Sequence, residues 1–249
     1  MKPKHLVKRA VIVAAGTGNR MRPLTLSVPK PLVEVNGRKM ISTVIDALKQ
    51  NGITEIHVVT GYLKEQFACL KEDHPEIDLI ENPMYDTCNN ISSLYFARQY
   101  LEDCIILDGD QIIHDPKVLH PEFDRSGYNA VWTEEETNEW LMDVKDGIVQ
   151  SCSRTGGKKG WQLYSISRWT AEDGRRLKNH LEYEFDEKKN RTIYWDDVPM
   201  FCHFTEYELG ITPMNRGDVE EIDSLQELAE ADTAYSILLK EIYDDQTEK

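Results

Sequence analysis

A continuous apolar run followed by a glycine-rich segment is the strongest constraint that this sequence places on its fold. Residues 10–15 read AVIVAA and stop at Gly16, and residues 16–32 are rich in Gly, Pro, Thr and Ser. An apolar run of this length that is bounded by glycine is typical of a strand buried on both faces, as in a parallel sheet. We therefore expect a buried strand that leads into a long ordered or functional loop.

Strands and helices alternate through the first half of the chain. Residues 40–51 carry apolar positions at helical spacing and end before Gly52, which predicts a helix. Because this alternation favours a parallel α/β core, ligands should bind beyond the carboxyl ends of the strands. We expect the loops that follow three strands to face one crevice, and these begin at Gly16, at Gly61–Tyr62 and at 108–110. The remaining elements predicted here are strands near 56–61, 77–82 and 104–108 and helices near 64–70 and 91–101.

The pattern changes near residue 128, where strands predominate. Asp146 and Gly147 stand between two apolar stretches and predict a hairpin turn. All five tryptophans lie in this second half, so we expect it to shape a different ligand from that of the first half. The elements predicted here are strands within 128–133, 141–152, 161–167 and 207–212 and a charged helix over 170–189.

The overall charge and the cysteines exclude several classes of partner. The net charge of −15 would repel DNA, RNA or an anionic membrane face. No apolar run approaches the roughly 20 residues that a membrane-spanning helix needs, and no signal-peptide pattern follows the basic N-terminus. The five cysteines are odd in number, scattered and without a C-x-x-C pair, which is typical of reduced thiols. We expect a cytoplasmic protein that binds neither nucleic acid nor membrane.

The glycine-rich loop carries features that suit phosphate binding. Its glycines, Gly16 and Gly18, let backbone N–H groups approach phosphate oxygens closely. Arg20 can grip a phosphate with two donors, and Lys30 can add a point charge. The loop is neither a Walker A motif nor a dinucleotide-binding fingerprint, because it lacks G-K-[ST] and a third glycine. An ordinary solvated turn is the alternative.

The full string A-A-G-x-G-x-R-M-x-P-L-T followed by P-K-P-L resembles the signature of the sugar-nucleotidyltransferase superfamily. The resemblance implies a Rossmann-like three-layer α/β/α fold around a mixed, mostly parallel central sheet. It implies one domain over 1–249, with a nucleotide-binding half at 9–127, a substrate-binding half at 128–225 and a C-terminal helical segment at 226–249. It assigns triphosphate binding to Ala15, Gly16, Gly18 and Arg20, and stabilisation of the pyrophosphate leaving group to Lys30.

Acidic residues at two places suit a magnesium ion. The strand IILDGD ends in Asp108 and Asp110, and carboxylates at a strand end can hold Mg²⁺. A solvated Asp-Gly turn is the alternative. The resemblance implies that Asp110 is a metal ligand with Asp108 behind it, and that Glu221 and Asp223 of the segment EEID complete the Mg²⁺ site. An acidic helix cap before Ser224 is the alternative for that segment.

Several segments resemble one branch of the superfamily, the bacterial CTP:phosphocholine cytidylyltransferases. These segments are GYLKEQF, YDTCNNISSL, TNEWL, YWDDVP and EID, within a resemblance that runs from about residue 9 to residue 225. The resemblance implies that Asn89 and Asn90 read the pyrimidine base. It implies a choline pocket formed by Trp140, Tyr194, Trp195, Asp196 and Asp197.

The chemistry of a cationic amine agrees with that pocket. A quaternary ammonium is recognised by aromatic faces and by nearby carboxylates, and the pair Tyr194–Trp195 followed by Asp196–Asp197 supplies both. A strand with one of the two aromatic rings in the core is the alternative. A pocket for a primary amine, as in 2-aminoethylphosphonate, would use similar groups. The family often carries basic residues before N-E-W-L, whereas this chain reads TEEET there. The candidate cations for the substrate phosphate are therefore Arg154, Lys158 and Lys159. A solvated loop is the alternative for these three residues.

The resulting hypothesis is a Mg²⁺-dependent cytidylyltransferase that converts CTP and phosphocholine into CDP-choline and pyrophosphate. CTP:2-aminoethylphosphonate cytidylyltransferase is the alternative, and a sugar-1-phosphate nucleotidyltransferase is a weaker one. A non-catalytic nucleotide sensor and a glycosyltransferase with a D-x-D motif are rivals from other classes. The partners expected are CTP and a small phosphorylated amino-alcohol or aminophosphonate, and a homodimer is left open.

Overall fold

The computed structural model describes residues 5–240. Its five α-helices within that range are α1 (Met40–Gln50), α2 (Ala68–Asp73), α3 (Ile91–Phe96), α4 (Ala171–Glu182) and α5 (Leu225–Ala231). The strands are β1 (His5–Leu6), β2 (Arg9–Ala14), β3 (Glu34–Val35), β4 (Arg38–Lys39), β5 (Glu55–Thr60), β6 (Asp78–Glu81), β7 (Cys104–Asp108), β8 (Gln111–Ile113), β9 (Glu122–Phe123), β10 (Gly127–Thr133), β11 (Leu141–Lys145), β12 (Ile148–Ser153), β13 (Gly160–Trp169), β14 (Gly210–Pro213) and β15 (Val219–Glu221).

A nine-stranded mixed sheet is the centre of the fold, which confirms the predicted α/β class. Its order is β10-β14-β12-β11-β13-β7-β2-β5-β6. The strands β6, β5, β2 and β7 are parallel, and the three connections that join them in chain order are crossovers that return to the same end of the sheet. The next strand, β13, runs antiparallel to β7, so the continuous parallel part belongs to the first half of the chain. In the second half, β10 and β14 form one further parallel pair.

The first strand is buried on both faces, as the sequence predicts. Alternate side chains of β2 point into two separate cores: Ile12 packs in the same core as α1, and Val11 in the same core as α3 and α4. These helices therefore form the outer layers of a three-layer arrangement. The helix α1 ends at Gln50, and Gly52 follows with a φ of +78°, as the predicted helix stop requires.

The second half of the sheet curls back on itself. The strand β10 pairs with β13 as well as with β14, so β10, β14, β12, β11 and β13 form a closed ring. The predicted hairpin turn lies between β11 and β12, where Asp146 and Gly147 both have positive φ values, 53° and 77°. This combination is typical of a tight type I′ hairpin.

Several predicted boundaries differ from the structure. The loop over 16–32 contains three short 3₁₀ turns, at Asn19–Met21, Leu24–Leu26 and Lys30–Leu32. The charged helix predicted over 170–189 is α4, which Thr170 caps, followed by a π-helical turn at Tyr183–Glu187. The strand predicted over 207–212 is limited to β14. Of the C-terminal segment 226–249, residues 241–249 lie outside the described residues.

Candidate active site

A cleft of about 400 Å³ lies at the carboxyl ends of β2 and β7, where the sequence predicts a ligand. The loop that begins at Gly16 and the turn at 108–110 both line it. The third predicted loop, at Gly61–Tyr62, does not. The Tyr62 backbone N–H donates to the Ala15 carbonyl at 3.1 Å and its hydroxyl donates to the Thr25 carbonyl at 2.9 Å. Tyr62 therefore holds the glycine-rich loop in place through hydrogen bonds to its backbone and does not line the cleft.

Gly18 is required by the shape of that loop. Its φ is +62°, and a Cβ there would lie 3.0 Å from Lys30 Cβ and 3.0 Å from Thr25 Cγ2. The Thr25 hydroxyl donates to the Gly18 carbonyl at 2.8 Å. The backbone of the loop is thus held against the stem of Lys30 at a separation that an L-side chain would not allow.

Lys30 connects the two acidic segments. Its ammonium is 2.6 Å from Asp110 Oδ2 and 2.6 Å from Asp223 Oδ1, and the side chain is only 9% exposed. Burial lowers the pKa of Lys30, but its two carboxylate partners more than offset this and raise the pKa above its ordinary value. Arg20 adds a second ion pair to Asp223, at 2.8 Å. The structure therefore brings together four predicted site residues that lie as far as 203 positions apart in the chain (223 − 20).

The same place carries more negative charge than these two cations balance. Burial and then the charge of Asp110 raise the pKa of Asp108 well above its usual range. Burial of its carboxyl group also raises the pKa of Glu221, although the residue as a whole is solvent-exposed. Gln111 Nε2 donates a hydrogen bond of 2.8 Å to this carboxylate and opposes the rise in pKa. Crowded carboxylates of this kind suit a divalent cation, for which oxygen donors are the preferred ligands.

Asn89 and Asn90 lie between the nucleotide cleft and the second half of the chain. Asn89 Nδ2 donates to the Thr192 carbonyl at 3.1 Å, and Asn90 Oδ1 accepts from the Trp195 backbone N–H at 2.9 Å. Both residues line the first cleft, and Asn90 also lines the second. The loop predicted to read the base is thus fixed to the segment predicted to bind the other substrate.

The second cleft, of about 280 Å³, joins the first at Arg20, Asn90 and the aspartates. Trp140 and Tyr194 stand at its wall with ring centroids 6.1 Å apart and planes at 90°. Asp196 also lines it, and burial raises the pKa of this carboxyl to about 7. The buried Asp196 Oδ1 has no well-aligned hydrogen-bond partner among the described residues, although the neighbouring Tyr128 hydroxyl lowers the pKa somewhat.

Two predicted pocket residues do not line either cleft. Trp195 is 1% exposed and packs between Tyr128 and Trp169 in the hydrophobic core, because the chain turns at Tyr194 and sends the two neighbouring rings in different directions. Asp197 is bound by the Arg154 guanidinium at 2.5 Å and accepts from the Tyr194 backbone N–H at 2.8 Å. Its role in the structure is to fix the Tyr194 turn.

Comparison with known proteins agrees with this geometry. The sequence profile of the nucleotidyl transferase family matches residues 9–125. A 2-aminoethylphosphonate cytidylyltransferase from Lancefieldella rimae is 39% identical, over 93% of this chain and 94% of its own. The chain belongs to the nucleotidyltransferase family. A choline-phosphate cytidylyltransferase from Streptococcus pneumoniae is 32% identical over 88% of this chain and 94% of its own. The solved structure of a CTP:phosphocholine cytidylyltransferase from the same species superimposes with a TM-score of 0.81 at 31% identity, covering 92% of this chain and 98% of its own.

The family confirms that the chain is an enzyme and that the superfamily resemblance is correct. None of the helices within residues 5–240 has both the length and the apolar character to cross a bilayer.

The cations predicted to meet the substrate phosphate of this nucleotidyltransferase lie elsewhere. Arg154 is engaged with Asp197, and Lys159 sits 5.7 Å above the Trp132 ring. Neither they nor Lys158 line the two clefts. Among the described cationic residues, Arg20 lines both clefts. A phosphate group placed where the two clefts join would therefore contact Arg20.

Sequence reasoning also missed residues that line the second cleft. Glu139 adds a carboxylate next to Trp140, and Ser165 projects from β13. Glu139 stands within the segment TNEWL that carries the family resemblance, so its position was a usable signal. Ser165 belongs to a strand whose pattern says only that alternate residues face opposite sides.

Proposed function

We propose that this nucleotidyltransferase is a cytidylyltransferase that transfers CMP from CTP to a small aminoalkyl phosphonate or phosphate, with 2-aminoethylphosphonate as the first candidate. Both relatives described above are cytidylyltransferases, which supports CTP as the nucleotide. The amide side chains of Asn89 and Asn90 line the cleft and offer the donors and acceptors that a pyrimidine edge requires.

Asp196 is the observation that carries the choice of a primary amine. Asp196 lines the cleft together with Trp140 and Tyr194, and its carboxyl, which also interacts with the Tyr128 hydroxyl, places an acidic group next to the two aromatic rings. An ionised carboxylate at this position would accept a charge-assisted hydrogen bond from an ammonium N–H. A quaternary ammonium has no N–H to donate. The relative from Lancefieldella rimae acts on 2-aminoethylphosphonate and supports the same choice.

Phosphocholine, which the sequence placed first, is the second candidate. The perpendicular rings of Trp140 and Tyr194 both line the cleft, and a quaternary ammonium prefers aromatic surroundings. The choline-phosphate relative supports this alternative. We place it second because two aromatic rings make an incomplete cage, whereas the carboxylates of the second cleft can accept from the N–H groups of a primary ammonium.

The reaction needs no general base. An ionised oxygen of the phosphonate attacks the α-phosphorus of CTP in line, the new P–O bond forms as the bond to the β-phosphate oxygen breaks, and pyrophosphate leaves. Arg20 and Lys30 would neutralise charge on the phosphates, and the backbone at Gly16 and Gly18 would bring N–H groups to their oxygens. Catalysis would then be positioning and electrostatic stabilisation.

The acidic residues fit a magnesium ion. Asp110 and Asp223 already share one cation, the Lys30 ammonium, at 2.6 Å each, and Glu221 adds a carboxylate whose pKa is raised by burial. We propose that Asp110, Glu221 and Asp223 hold Mg²⁺, with Asp108 behind them. The ion, when bound, would neutralise phosphate charge and orient the triphosphate.

Pyrophosphate release tests the proposal, with four NTPs crossed against 2-aminoethylphosphonate, phosphoethanolamine, phosphocholine and glucose-1-phosphate in the presence of Mg²⁺. Phosphoethanolamine and phosphocholine differ only in three N-methyl groups, so this pair isolates recognition of the amine. We expect CTP to be preferred and both primary amines to exceed phosphocholine. A preference for phosphocholine would keep the cytidylyltransferase and reverse the order of candidates. Activity with glucose-1-phosphate alone would overturn the assignment of the second cleft.

A further inference from the structure

A second cluster of metal-binding groups lies apart from both clefts, at the end of α4. His180 belongs to the last turn of that helix, and His203 and Glu206 follow the π-helical turn Val198–Cys202. One ligand atom from each of the three side chains lies within 4.8 Å of the others. The histidines are half-buried, with side chains 13% and 12% exposed, whereas Glu206 opens to solvent at 53%. An ion could therefore enter from the side of the carboxylate.

The ring nitrogens that face Glu206 lie at the long end of the hydrogen-bonding range from its carboxylate. His180 Nε2 lies 3.3 Å from Glu206 Oε2, and His203 Nδ1 lies 3.2 Å from Glu206 Oε1. A charge-assisted N–H to carboxylate bond is shorter, at about 2.7–2.9 Å. Neighbouring ligands of tetrahedral Zn²⁺, bound at about 2.0–2.2 Å, are about 3.3–3.5 Å apart. The two nitrogen–oxygen distances, each to a different oxygen of Glu206, are thus close to the separation of neighbouring ligands around such an ion.

The outer nitrogens of both rings are already held by partners. His203 Nε2 lies 2.9 Å from Glu184 Oε1, a carboxylate that is 0% exposed, and His180 Nδ1 lies 2.8 Å from the Tyr207 hydroxyl. In neutral rings that donate these two bonds, the inner nitrogens keep their lone pairs. This is the arrangement in which metal-bound histidines are oriented by a second hydrogen bond.

We propose that His180 Nε2, His203 Nδ1 and the Glu206 carboxylate bind a transition-metal ion of the Zn²⁺ type, with water as the fourth ligand. Imidazole nitrogen selects Zn²⁺, Co²⁺ or Ni²⁺ over Mg²⁺, which prefers oxygen, so this ion would differ from that of the catalytic cleft. The rings are now stacked with centroids 3.8 Å apart and planes 8° from parallel. Binding therefore requires a tilt of each ring toward the ion.

The site would brace the wall behind the substrate cleft. Tyr207, which orients His180, packs edge-on against Trp169 with centroids 5.9 Å apart. Trp169 in turn packs against Trp195, at 6.2 Å, and Trp195 precedes Asp196 in the chain. An ion that joins α4 to residues 203–206 would hold this aromatic layer in place. The role is structural, and it stands independently of the proposed substrate.

Metal titration of the full-length protein tests the proposal. The chelator-treated protein is titrated with Zn²⁺ by equilibrium dialysis and with Co²⁺ by visible absorption, both in millimolar Mg²⁺ so that the acidic cleft is occupied. We expect one equivalent to bind and to raise the thermal midpoint. His180→Gln, His203→Asn and the exposed Glu206→Gln should each lose this equivalent, whereas the control His5→Gln should keep it. Tyr207→Phe should weaken binding by about 10- to 100-fold, because it removes the partner that orients His180.

Two results would overturn this site. One is wild-type protein that binds neither ion under these conditions. The other is an equivalent that survives in the two histidine variants, since the ion would then lie elsewhere. Far-UV circular dichroism shows whether each histidine variant folds. If one does not, the metal titration of Glu206→Gln is the deciding test, because the Glu206 side chain is exposed and its replacement leaves the core unchanged.

Discussion

Replacing Asp196 by Asn separates recognition of a primary amine from recognition of a quaternary one. The Asp196 carboxyl has a pKa of about 7 because it is buried, so its protonated form is already well populated near neutral pH. Asn has the shape of that protonated form, and we expect the variant to fold. The change removes the negative charge and leaves an amide of nearly the same shape beside the Tyr128 hydroxyl.

The magnitude follows from the interaction that is lost. A hydrogen bond to a charged partner contributes about 1.5–3 kcal/mol, and the loss of this amount corresponds to a decrease of about 13- to 160-fold in kcat/KM. We expect this decrease with 2-aminoethylphosphonate and phosphoethanolamine. With phosphocholine only the longer-range attraction is lost, so we expect a smaller decrease. The KM for CTP should stay the same.

The pH profile gives a second measurement on the same variant. The pKa of Asp196 is raised to about 7, so below pH 7 the residue is neutral and attracts the ammonium weakly, and above pH 7 it is ionised. In the wild type, kcat/KM for the amine should therefore rise with pH through about 7. The ionisation of the substrate phosphonate contributes a rise of its own. The pKa of Glu221 is also raised to about 7, so this carboxyl titrates in the same range. Asp196→Asn keeps both of these contributions, so the difference between the two profiles belongs to Asp196.

The control is Asp143→Asn, which makes the same chemical change at a solvent-exposed position of β11. It should leave all kinetic constants within error of the wild type. If Asp196→Asn retains kcat/KM within about threefold for every substrate, the ammonium is bound elsewhere and the primary-amine proposal is refuted.

Three further variants test other contacts. Asp110→Asn should reduce turnover by at least about 1000-fold with an intact fold, because it removes a proposed Mg²⁺ ligand, as pyrophosphate release would measure. Arg154→Ala should raise the KM of the amine substrate by about tenfold without changing the KM for CTP, since it releases the Asp197 carboxylate that fixes the Tyr194 turn. Arg168→Met should lower the free energy of unfolding by about 3–5 kcal/mol in urea, because the buried guanidinium donates to two carbonyls and one amide oxygen that would lose their donor.

Matched controls accompany these variants. Arg175 is an exposed arginine of α4, so Arg175→Ala and Arg175→Met should change neither kinetics nor stability by more than about 0.5 kcal/mol. Full activity in Asp110→Asn would refute the metal assignment. An equal rise of both KM values in Arg154→Ala would show a general loss of structure, and partial recovery in Arg154→Lys would support the ion pair.

The glycine-rich loop was predictable from the sequence because its parts are close together in the chain. The strand, the two glycines and Arg20 lie within 12 residues (20 − 9 + 1), and the conformation at Gly18 is a local property. A backbone conformation with positive φ or a tight turn favours particular residue types, so the sequence shows it directly. The positions of Asp110 and Asp223 relative to Lys30 were reached through the family resemblance, since no local pattern joins residues so far apart.

The second cleft was less predictable for a specific reason. Tyr194 and Trp195 are adjacent, and a strand would have placed them on opposite faces, but the segment is a turn in which the Asp197 N–H returns to the Tyr194 carbonyl at 3.2 Å. Which ring enters the core depends on the space beside Tyr128, a residue of a distant strand. Arg154 likewise pairs with Asp197, which lies 43 positions further along the chain. The sequence alone does not reveal this partner, and it therefore predicted a cation that was available to the substrate.

The closed ring of strands has a consequence for self-association. Because β10 returns to β13, β6 is the one edge of the nine-stranded sheet that stays open within residues 5–240. Open edges invite strand addition from another copy and lead to aggregation. An antiparallel pair of β6 strands in full register would set Asp78 opposite Glu81 twice, and like charges directly opposite each other are destabilising. The charges at the two ends of β6 therefore oppose antiparallel, in-register pairing with a second copy at this edge.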